Sequence, residues 1–481
     1  MKRIHSLFVV GVVALVVMSW LPSATAGDGP PLNVIIILAD DLGWADLGCY
    51  GADVHQTPNI DRFASQGVRF TQAYASAPVC SPTRAALLTG KYPARLHMTV
   101  WFEQSQHPPQ DRKLIPPVTV GNLPHAEVTL AERLSAAGYF TAHLGKWHLG
   151  AASHYPQTQG FDVNIGGTFW GAPSTYFYPY RGRWSNSEEI RYVPHLEWGH
   201  PGEYLTDRLT DEALATIDRV ADRPFFIYLA YHTVHTPIEG KPEVVARYKK
   251  TIRPEHHHQN AGYAAMVHSL DENVGRILKR LKTLGIDDHT LVVFTSDNGG
   301  YVNPYHGQRV TNNYPLRSGK GSLYEGGIRV PLIVRLPGTT PKDAVCEAVV
   351  LSMDLHPTIA AVTGCQGKDG KDVFDGLDVS PILKDPSTRL QRNAVFFHYP
   401  HYYPTTTPVS AVRRGPWKLL AYHEDDRVEL YHLGDDPGEA NDLAAERPGK
   451  VKQLRRQLAR WLRDVDAQMP RSNPNFKPKD S

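Results

Sequence analysis

Cysteine is scarce in this chain, with four residues in 481, namely Cys49, Cys80, Cys346 and Cys365. A small domain built on a disulfide framework carries more cysteines in a shorter chain, so that class of protein is excluded. A long basic run is also missing, and the net charge is only +2. Proteins that bind nucleic acid usually cluster positive charge on one surface, so we expect no nucleic-acid partner.

Long apolar runs are missing from the chain after its N-terminal segment. No run there reaches the ~18 residues that a membrane-spanning helix needs. At the N-terminus itself, basic residues at positions 2 and 3 precede an apolar run over residues 7–21. Ser23-Ala24-Thr25-Ala26 follows and has the small residues of a cleavage site. Residues 1–26 are therefore predicted to be a Sec signal peptide, with an uncleaved anchor as the alternative. We expect an exported protein, periplasmic or secreted, with no stable membrane span.

The remaining chain is longer than one core usually supports, which predicts a large domain over residues 27–387 and a smaller one over 388–481. Continuous β-branched runs, as in Asn33–Ala39 and Thr290–Ser296, are typical of strands buried on both faces of an α/β sheet. Long amphipathic patterns between them indicate helices, and the polar segment 366–390 reads as a connection between the domains.

Acidic and amide side chains follow two of these strands. Asp40 and Asp41 come after the first, and Asp297 and Asn298 after the second. The carboxyl ends of strands in α/β proteins are where ligands usually bind. One such pair alone is more often a turn or a helix cap. Together they offer four oxygen donors with no histidine or thiolate, which favours Ca²⁺ or Mg²⁺ over Zn²⁺.

Residues 77–90 read as a loop that turns into a helix. Pro82 suits the first helical turn, and Gly90 can end the helix. Cys80 then lies near a helix N-terminus, where anions are favoured, and Arg84 follows one turn later. A cysteine in this position is usually just a small buried side chain.

The full pattern Cys80-x-Pro82-x-Arg84, with Leu88-Thr89-Gly90 behind it, resembles the signature of type I sulfatases of the alkaline phosphatase superfamily. In that family the cysteine is oxidised after synthesis to formylglycine, an aldehyde whose hydrate is the nucleophile. Four further stretches are similar to family motifs, almost end to end along the mature chain. They are Gly43–Gly51, Gly145-Lys146-Trp147-His148-Leu149-Gly150, His235-Thr236-Pro237 and Leu316–Pro331.

This resemblance implies a large mixed, mostly parallel sheet between helices, with a small C-terminal α+β subdomain that contains an antiparallel sheet. It implies Ca²⁺ (Mg²⁺ possible) and a formylglycine-generating maturation enzyme as a partner. The implied catalytic residues are Cys80, Arg84, Lys146, His148, His235 and Lys320, and the implied metal ligands are Asp40, Asp41, Cys80, Asp297 and Asn298.

The implied reaction is the hydrolysis of a sulfate ester. One hydroxyl of the aldehyde hydrate at position 80 attacks sulfur, and His235, assisted by Lys320, protonates the departing alcohol. His148 then takes the proton from the second hydroxyl, which expels sulfate and restores the aldehyde.

Aromatic residues indicate the substrate class, since Trp and Tyr number 9 and 23. The chain resembles arylsulfatase A and N-acetylgalactosamine sulfatases, and its aromatic content suits a carbohydrate such as a polysaccharide or glycosaminoglycan. A galactose or N-acetylgalactosamine sulfate is the expected substrate. Trp101, in a loop-like segment over residues 98–117, is a candidate substrate contact, as are His232 and Arg317. Further stacking candidates are Trp170, Tyr176, Tyr178, Arg181 and Trp184.

Two other readings stay open. One is a phosphomonoester or phosphonate hydrolase of the same superfamily, and the other is a catalytically silent homologue that binds sulfated glycans. Conversion of Cys80 would leave Cys346 and Cys365 free to pair and Cys49 as a buried thiol.

The run His256-His257-His258 lacks regular metal-ligand spacing and has no acidic cluster close in sequence, so we interpret it as a solvated loop.

Overall fold

An eight-stranded sheet forms the centre of the computed structural model, which describes residues 31–184, 187–367 and 373–477. Seven strands run in one direction, and only Leu332–Arg335 is antiparallel to its neighbours. The predicted large, mostly parallel sheet is therefore confirmed. In spatial order the strands are Ala344–Cys346, Val68–Phe70, Leu332–Arg335, Thr290–Ser296, Asn33–Ala39, Phe225–Ala230, Phe140–Gly145 and Val163–Ile165.

Helices cover both faces of this sheet, because its central strands are apolar on both sides. In Asn33–Ala39, alternate side chains enter two different cores, one with Ile35 and Ile37 and the other with Val34 and Ile36. Strands of this kind must be covered on both faces to remove their side chains from water. The first core is completed by helices Pro58–Ser65, Leu205–Val220 and Ala261–Thr283, and the second by Cys80–Thr89, Leu130–Ala136, Leu355–Val362 and Ser380–Lys384.

A four-stranded antiparallel sheet follows in the C-terminal part, as expected. Its strands are Val395–Tyr399, Val409–Arg414, Trp417–Tyr422 and Val428–His432, paired in chain order. Helix Pro448–Asp464 packs on it, with the rings of Phe396 and Trp461 stacked at 4.9 Å. A third core joins this sheet to residues around Cys80 and Lys320, and Leu32–Ser481 form one compact unit. The domain boundary at residue 387 stays a prediction.

Smaller elements complete the described chain. The segment 98–117 is not wholly loop, since it contains helix Phe102–Gln106 and strand Leu114–Ile115, and the connection 366–390 contains helix Ser380–Lys384. The other short helices are Pro242–Thr251 and Glu325–Ile328, with 3-10 turns at Gly48–Tyr50, Ala152–His154, Pro156–Thr158, Asp287–His289 and Ser352–Asp354. The short strand pairs are Ala73–Tyr74 with Val350–Leu351, Leu114–Ile115 with Arg471–Ser472, Arg181–Arg183 with Ile190–Tyr192, and Pro304–Tyr305 with Gln308–Arg309.

The predicted signal peptide, residues 1–26, lies outside the described residues. Within the described ranges, every helix is too short or too polar to cross a membrane. All four cysteines are free, so Cys346 and Cys365 are not paired in this structure. Cys49 is only partly buried, which corrects the expectation of a buried thiol.

Candidate active site

Four neighbouring parallel strands end at one edge of the sheet and carry most of the predicted site residues. They are Phe140–Gly145, Phe225–Ala230, Asn33–Ala39 and Thr290–Ser296. Each strand is followed by polar side chains. The chain leaves the sheet at these carboxyl ends, which is the edge where α/β proteins usually bind ligands. The side chains are, in chain order, Asp40, Asp41, Lys146, His148, His235, Asp297 and Asn298.

Cys80 is the first residue of helix Cys80–Thr89, and its Sγ lies 3.6 Å from Asp40 Oδ1. Pro82 lies in the first turn, and Gly90 ends the helix with φ 71°. The predicted loop-to-helix turn is thus confirmed. Burial raises the pKa of the Cys80 thiol to about 12. A protonated thiol is a poor nucleophile, so the unmodified side chain is badly suited to attack an ester.

Each of the three buried carboxylates is paired with a buried cation. Lys146 Nζ lies 2.8 Å from Asp40 Oδ2, and Lys320 Nζ lies 2.7 Å from Asp41 Oδ1. The third cation, the guanidinium of Arg84, lies 2.7 Å from an oxygen of Asp297. Buried charges need such partners, because water no longer solvates them.

The carboxylates differ in acidity. Burial raises the pKa of Asp40 to about 7 against the attraction of Lys146. Burial would also raise the pKa of Asp41, but the ammonium group of Lys320 beside it holds that pKa well below its usual range. For Asp297, too, the effect of burial is outweighed, mainly by Arg84, and its pKa is lowered.

Two site residues have left-handed backbone conformations, Asp41 with φ 62° and His148 with φ 61°. Non-glycine residues adopt this region at a cost, and such positions concentrate at functional sites. The Asp41 N–H donates to Asp297 Oδ1 at 3.2 Å, and the His148 N–H donates to the Thr168 carbonyl at 2.9 Å. Tertiary hydrogen bonds therefore hold both strained residues in place.

The donor set fits a hard divalent cation. Asn298 Nδ2 donates to Asp41 Oδ1 at 2.8 Å, whereas the buried Asn298 Oδ1 has no hydrogen-bond partner among the described residues. Potential ligand atoms of Asp40, Asp41, Cys80 and His235 all lie within 4.8 Å of one another. An orphaned buried oxygen beside clustered carboxylates is what a bound cation would satisfy, and oxygen donors suit Ca²⁺ or Mg²⁺.

Both predicted catalytic histidines are neutral in the structure. Burial and Lys320 lower the pKa of His235 to about 3, and burial lowers that of His148 to about 4. His235 Nδ1 bonds the Thr236 carbonyl at 2.8 Å, which leaves Nε2 to face Asp41 at 3.6 Å. His148 Nε2 lies 3.8 Å from a carboxylate oxygen of Glu103.

A cavity of about 270 Å³ opens over Cys80 and contains much of the predicted site. Its walls include the predicted Trp101, His148, Trp184, His235 and Lys320. Gly171 allows the His148 ring to lie against the chain, since a Cβ there would be 2.3 Å from that ring. Sequence reasoning missed four further lining residues, Glu103, Arg191, Tyr301 and Tyr403. Only Glu103 had a signal, its position two residues after Trp101 in the proposed substrate loop.

Two predicted substrate contacts are not brought into this cavity. Arg317 stacks on the Tyr324 ring at 3.9 Å and donates to the Tyr431 hydroxyl at 3.0 Å, so packing partners already occupy it. His232 is buried behind the site, and neither ring nitrogen has a hydrogen-bond partner among the described residues. Position in a glycine-rich motif (Arg317) or near a predicted catalytic histidine (His232) was therefore a poor guide to side-chain direction.

The aromatic stacking candidates divide in the same way. Trp184 lines the cavity, whereas Trp170, Tyr176, Tyr178 and Arg181 are outside its lining. Tyr176 is buried, and its hydroxyl donates to the carbonyls of His232 and His235 at 2.5 and 2.9 Å. It supports the loop that carries His232 and His235 and does not line the cavity.

The histidine run was wrongly interpreted as wholly solvated. His257 is exposed, but His258 is buried and lies 3.2 Å from Asp46 Oδ1 and 2.5 Å from Asp53 Oδ1. These acidic residues are about 200 positions away along the chain, so the lack of a second acidic cluster close in sequence, beyond the adjacent Glu255, was no guide.

Comparison with known proteins gives the same family along nearly the whole chain. The Sulfatase family model matches residues 32–365, and the model for the C-terminal part of N-sulphoglucosamine sulphohydrolase matches residues 319–468. A sulfatase from Formosa agariphila is 34% identical over 89% of this chain and 88% of its own length. Human N-acetylgalactosamine-6-sulfatase is 31% identical over 87% of this chain and 83% of its own.

Among solved structures, the crystal structure of Ps i-CgsB superposes with a TM-score of 0.76 at 29% identity, covering 93% of this chain and 94% of that chain. The fold, the signature helix and the matched models agree. The chain belongs to the sulfatase family, the type I sulfate-ester hydrolases of the alkaline phosphatase superfamily.

Proposed function

We propose that this enzyme removes sulfate from a carbohydrate with a formylglycine nucleophile made from Cys80 and with Ca²⁺ as its metal. One observation carries the proposal. Cys80 lines the same cavity as His148, His235 and Lys320, and its Sγ lies 3.6 Å from Asp40 Oδ1. The thiol itself is held protonated by burial, so a modified side chain explains the position better than a cysteine nucleophile.

Asp40, Asp41, Asp297 and Asn298 would hold the calcium ion, with the side chain at position 80 beside them. A bound cation supplies positive charge next to the anionic ester, and the aldehyde hydrate supplies an oxygen nucleophile that can later release sulfate.

Lys320 and Lys146 add positive charge from the protein to that of the metal ion. A sulfate ester resists hydrolysis because its oxygens repel nucleophiles, so fixed cations lower the barrier where negative charge gathers. Lys320 lines the cavity. In this proposal its ammonium group contacts a sulfuryl oxygen. Lys146 and Arg84 are fully buried behind it, and Arg84 donates to the Lys146 carbonyl at 2.8 Å. These two residues orient the carboxylates and the side chain at position 80.

The histidines move the protons. A neutral His148 is suited to accept a proton from the hydrate, and the Glu103 carboxylate beside it would stabilise the imidazolium that forms. His235 lines the cavity, and its Nε2 is left free by the hydrogen bond of Nδ1 to Thr236, so Nε2 can carry the proton for the departing alcohol. An arriving sulfate anion opposes the effect of Lys320 and favours that protonated form.

The substrate class is inferred from the cavity walls and the relatives. Trp101, Trp184 and Tyr403 supply flat apolar surfaces, and Arg191 adds a cation beside them. Aromatic faces with a few fixed polar groups suit a sugar ring. Relatives named N-acetylgalactosamine-6-sulfatase agree with a galactose or N-acetylgalactosamine sulfate. Export through the N-terminal segment, and maturation by a formylglycine-generating enzyme, belong to the same proposal.

The first test is peptide mass spectrometry across Cys80 on protein from a maturation-competent host. Conversion of cysteine to formylglycine lowers the peptide mass by about 18 Da. The converted enzyme is then assayed with Ca²⁺ on 4- and 6-sulfated galactose and N-acetylgalactosamine, beside an aryl sulfate and an aryl phosphate.

Desulfation of a sugar by converted enzyme supports the proposal. A Cys80 that stays a thiol in a competent host contradicts it. Faster turnover of the phosphate would make this chain a phosphate-ester hydrolase, and inactivity on sugars with activity on aryl sulfate would overturn the carbohydrate assignment alone.

A further inference from the structure

A second cluster of potential metal ligands lies outside the catalytic cavity. Asp46, His55 and His258 are all buried, and one ligand atom of each lies within 4.8 Å of the others. Three separate segments bring them together: the loop after the first strand, the approach to helix Pro58–Ser65 and the approach to helix Ala261–Thr283. None of the three lines the cavity over Cys80.

Both histidines already have one ring nitrogen occupied by an acceptor. His55 Nδ1 lies 2.9 Å from the backbone carbonyl of Asp46, and His258 Nδ1 lies 2.5 Å from Asp53 Oδ1. In the neutral form of each ring, these acceptors place the proton on Nδ1 and leave a lone pair on Nε2. Asp46 and Asp53 raise the pKa of His258 to about 9 against the effect of burial, so a metal ion at this Nε2 displaces a proton. Metal-bound histidines are held by outer partners in the same way, a carboxylate or a backbone carbonyl.

The two Nε2 atoms differ in what lies close to them. Both are buried and have no hydrogen-bond partner among the described residues. His258 Nε2 nevertheless lies 3.2 Å from Asp46 Oδ1, within ion-pair distance, whereas no such contact is made by His55 Nε2 among the described residues. Orphaned buried nitrogens of this kind call for a ligand, because an unsatisfied buried polar atom is costly.

The carboxylate is held in a single orientation. Asp46 Oδ2 accepts from the Tyr263 hydroxyl at 2.5 Å and from the Gly43 N–H at 2.6 Å, and Oδ1 accepts from the Thr311 hydroxyl at 2.8 Å. Its Oδ1 is the oxygen that faces His258. The Tyr263 hydroxyl also lies 3.3 Å from the Asp41 carbonyl oxygen, which connects this cluster to the loop of the catalytic carboxylates.

We propose that Asp46, His55 and His258 form a second, structural metal site that binds a borderline divalent cation, Zn²⁺, through two imidazole nitrogens and one carboxylate oxygen. Two imidazoles and a carboxylate select zinc over the hard cations that suit the all-oxygen catalytic set. The bound ion links the loop that carries Asp41 to the segments that precede helices Pro58–Ser65 and Ala261–Thr283.

The test uses the full-length enzyme, stripped of transition metals and resupplied with Ca²⁺. Zinc chloride is titrated in, and retained zinc is counted per chain by elemental mass spectrometry after gel filtration. We expect one zinc per wild-type chain. His258→Gln and His55→Gln should lose it, and Asp53→Asn should bind it about 10–100-fold more weakly. His257→Gln is the matched control, because that neighbouring ring is exposed, and it should bind like wild type.

Cobalt substitution gives a second readout that does not depend on variants folding. Co²⁺ in the wild-type enzyme should show the visible bands of a four- or five-coordinate ion without a thiolate charge-transfer band, which separates this site from one that includes Cys80. Substoichiometric zinc in wild type, or equal zinc in wild type and His258→Gln, would overturn the proposal. The cluster would then be an ion pair of protonated His258 with Asp46 and Asp53.

Discussion

Two of the clusters of buried charge among the described residues differ in what surrounds them. In the first, which we call the joining cluster, Lys418 Nζ lies 2.8 Å from Glu325 and 2.9 Å from Glu439, and the Tyr74 hydroxyl donates to Glu325 at 2.6 Å. It connects the C-terminal sheet to the rest of the chain.

The second is the catalytic cluster of Asp40, Asp41, Asp297 and their cations. It borders a cavity, contains the orphaned Asn298 Oδ1 and has a left-handed residue at Asp41. Ion pairing alone therefore does not distinguish a functional cluster from a structural one. Backbone strain does not distinguish them either, because Glu439 in the joining cluster also has a left-handed backbone, with φ 51°. Access to a cavity does.

The largest contrast is expected from removal of the nucleophile. Cys80→Ala should lower kcat/KM by at least ~10³-fold, because no other side chain can attack sulfur, while the free energy of unfolding changes little. Steady-state kinetics and urea unfolding measure the two effects. Cys365→Ala, at a partly exposed thiol outside the cavity, is the control and should keep its activity. Residual activity above a tenth of wild type in Cys80→Ala would contradict the proposed nucleophile.

Loss of a cation should affect the two clusters differently. Lys418→Met should destabilise the fold by about 3–5 kcal/mol, since Glu439 stays buried without its counter-charge and Glu325 is left with the longer ion pair to Arg329 at 3.5 Å. Lys320→Met should instead lower kcat strongly, with a smaller loss of stability when Ca²⁺ is present. Urea unfolding with and without Ca²⁺ separates them, and equal destabilisation of both variants would end the distinction.

Withdrawal of calcium should act on the catalytic cluster alone. Chelation should abolish activity and lower the free energy of unfolding by about 2.7 kcal/mol relative to a calcium concentration of 100 times Kd. Asp297→Asn should reduce both responses, whereas Glu439→Gln should keep them. A chelated enzyme with full activity would exclude the metal from the reaction.

The joining cluster should give the fold a pH dependence. Burial raises the pKa of Glu439 to about 7, above its ordinary 4.5, so the folded state binds the proton more tightly than the unfolded chain. Such a group stabilises the fold below pH 4.5 and loses that contribution as the pH rises through 7, on the order of 1–3 kcal/mol. Glu439→Gln should flatten the unfolding free energy between these pH values. If the unfolding free energy of Glu439→Gln varies with pH as steeply as that of wild type, a different group causes the pH dependence.

The smallest effect is expected at Glu103, which acts through His148 rather than on substrate. Glu103→Gln should reduce kcat about 10-fold with little change in KM, because the imidazolium of His148 loses its carboxylate. The pH profile of kcat should shift as well, and Glu103→Asp should restore part of the rate. A change confined to KM would make Glu103 a substrate contact.

Much of the fold and the catalytic core could be predicted from the sequence. Strands such as Asn33–Ala39 are continuous apolar runs, and the polar residues after them follow from chain order alone. The signature around Cys80 is also local, so its helix start and the glycine end were predicted correctly. Directions of side chains in irregular loops were not, as Arg317 and His232 show. Their partners come from packing with distant segments.

The sequence by itself determined the family, the sheet and the identity of the residues at its carboxyl edge, because each of these depends on short-range pattern. Only the tertiary structure decided that Tyr403 and Glu103 line the cavity and that His258 lies beside Asp46. Those contacts join segments up to a few hundred residues apart, and they form only when the two cores and the C-terminal sheet pack together. A pattern along the chain does not show which distant segments lie close together in space. Packing of the folded chain decides that.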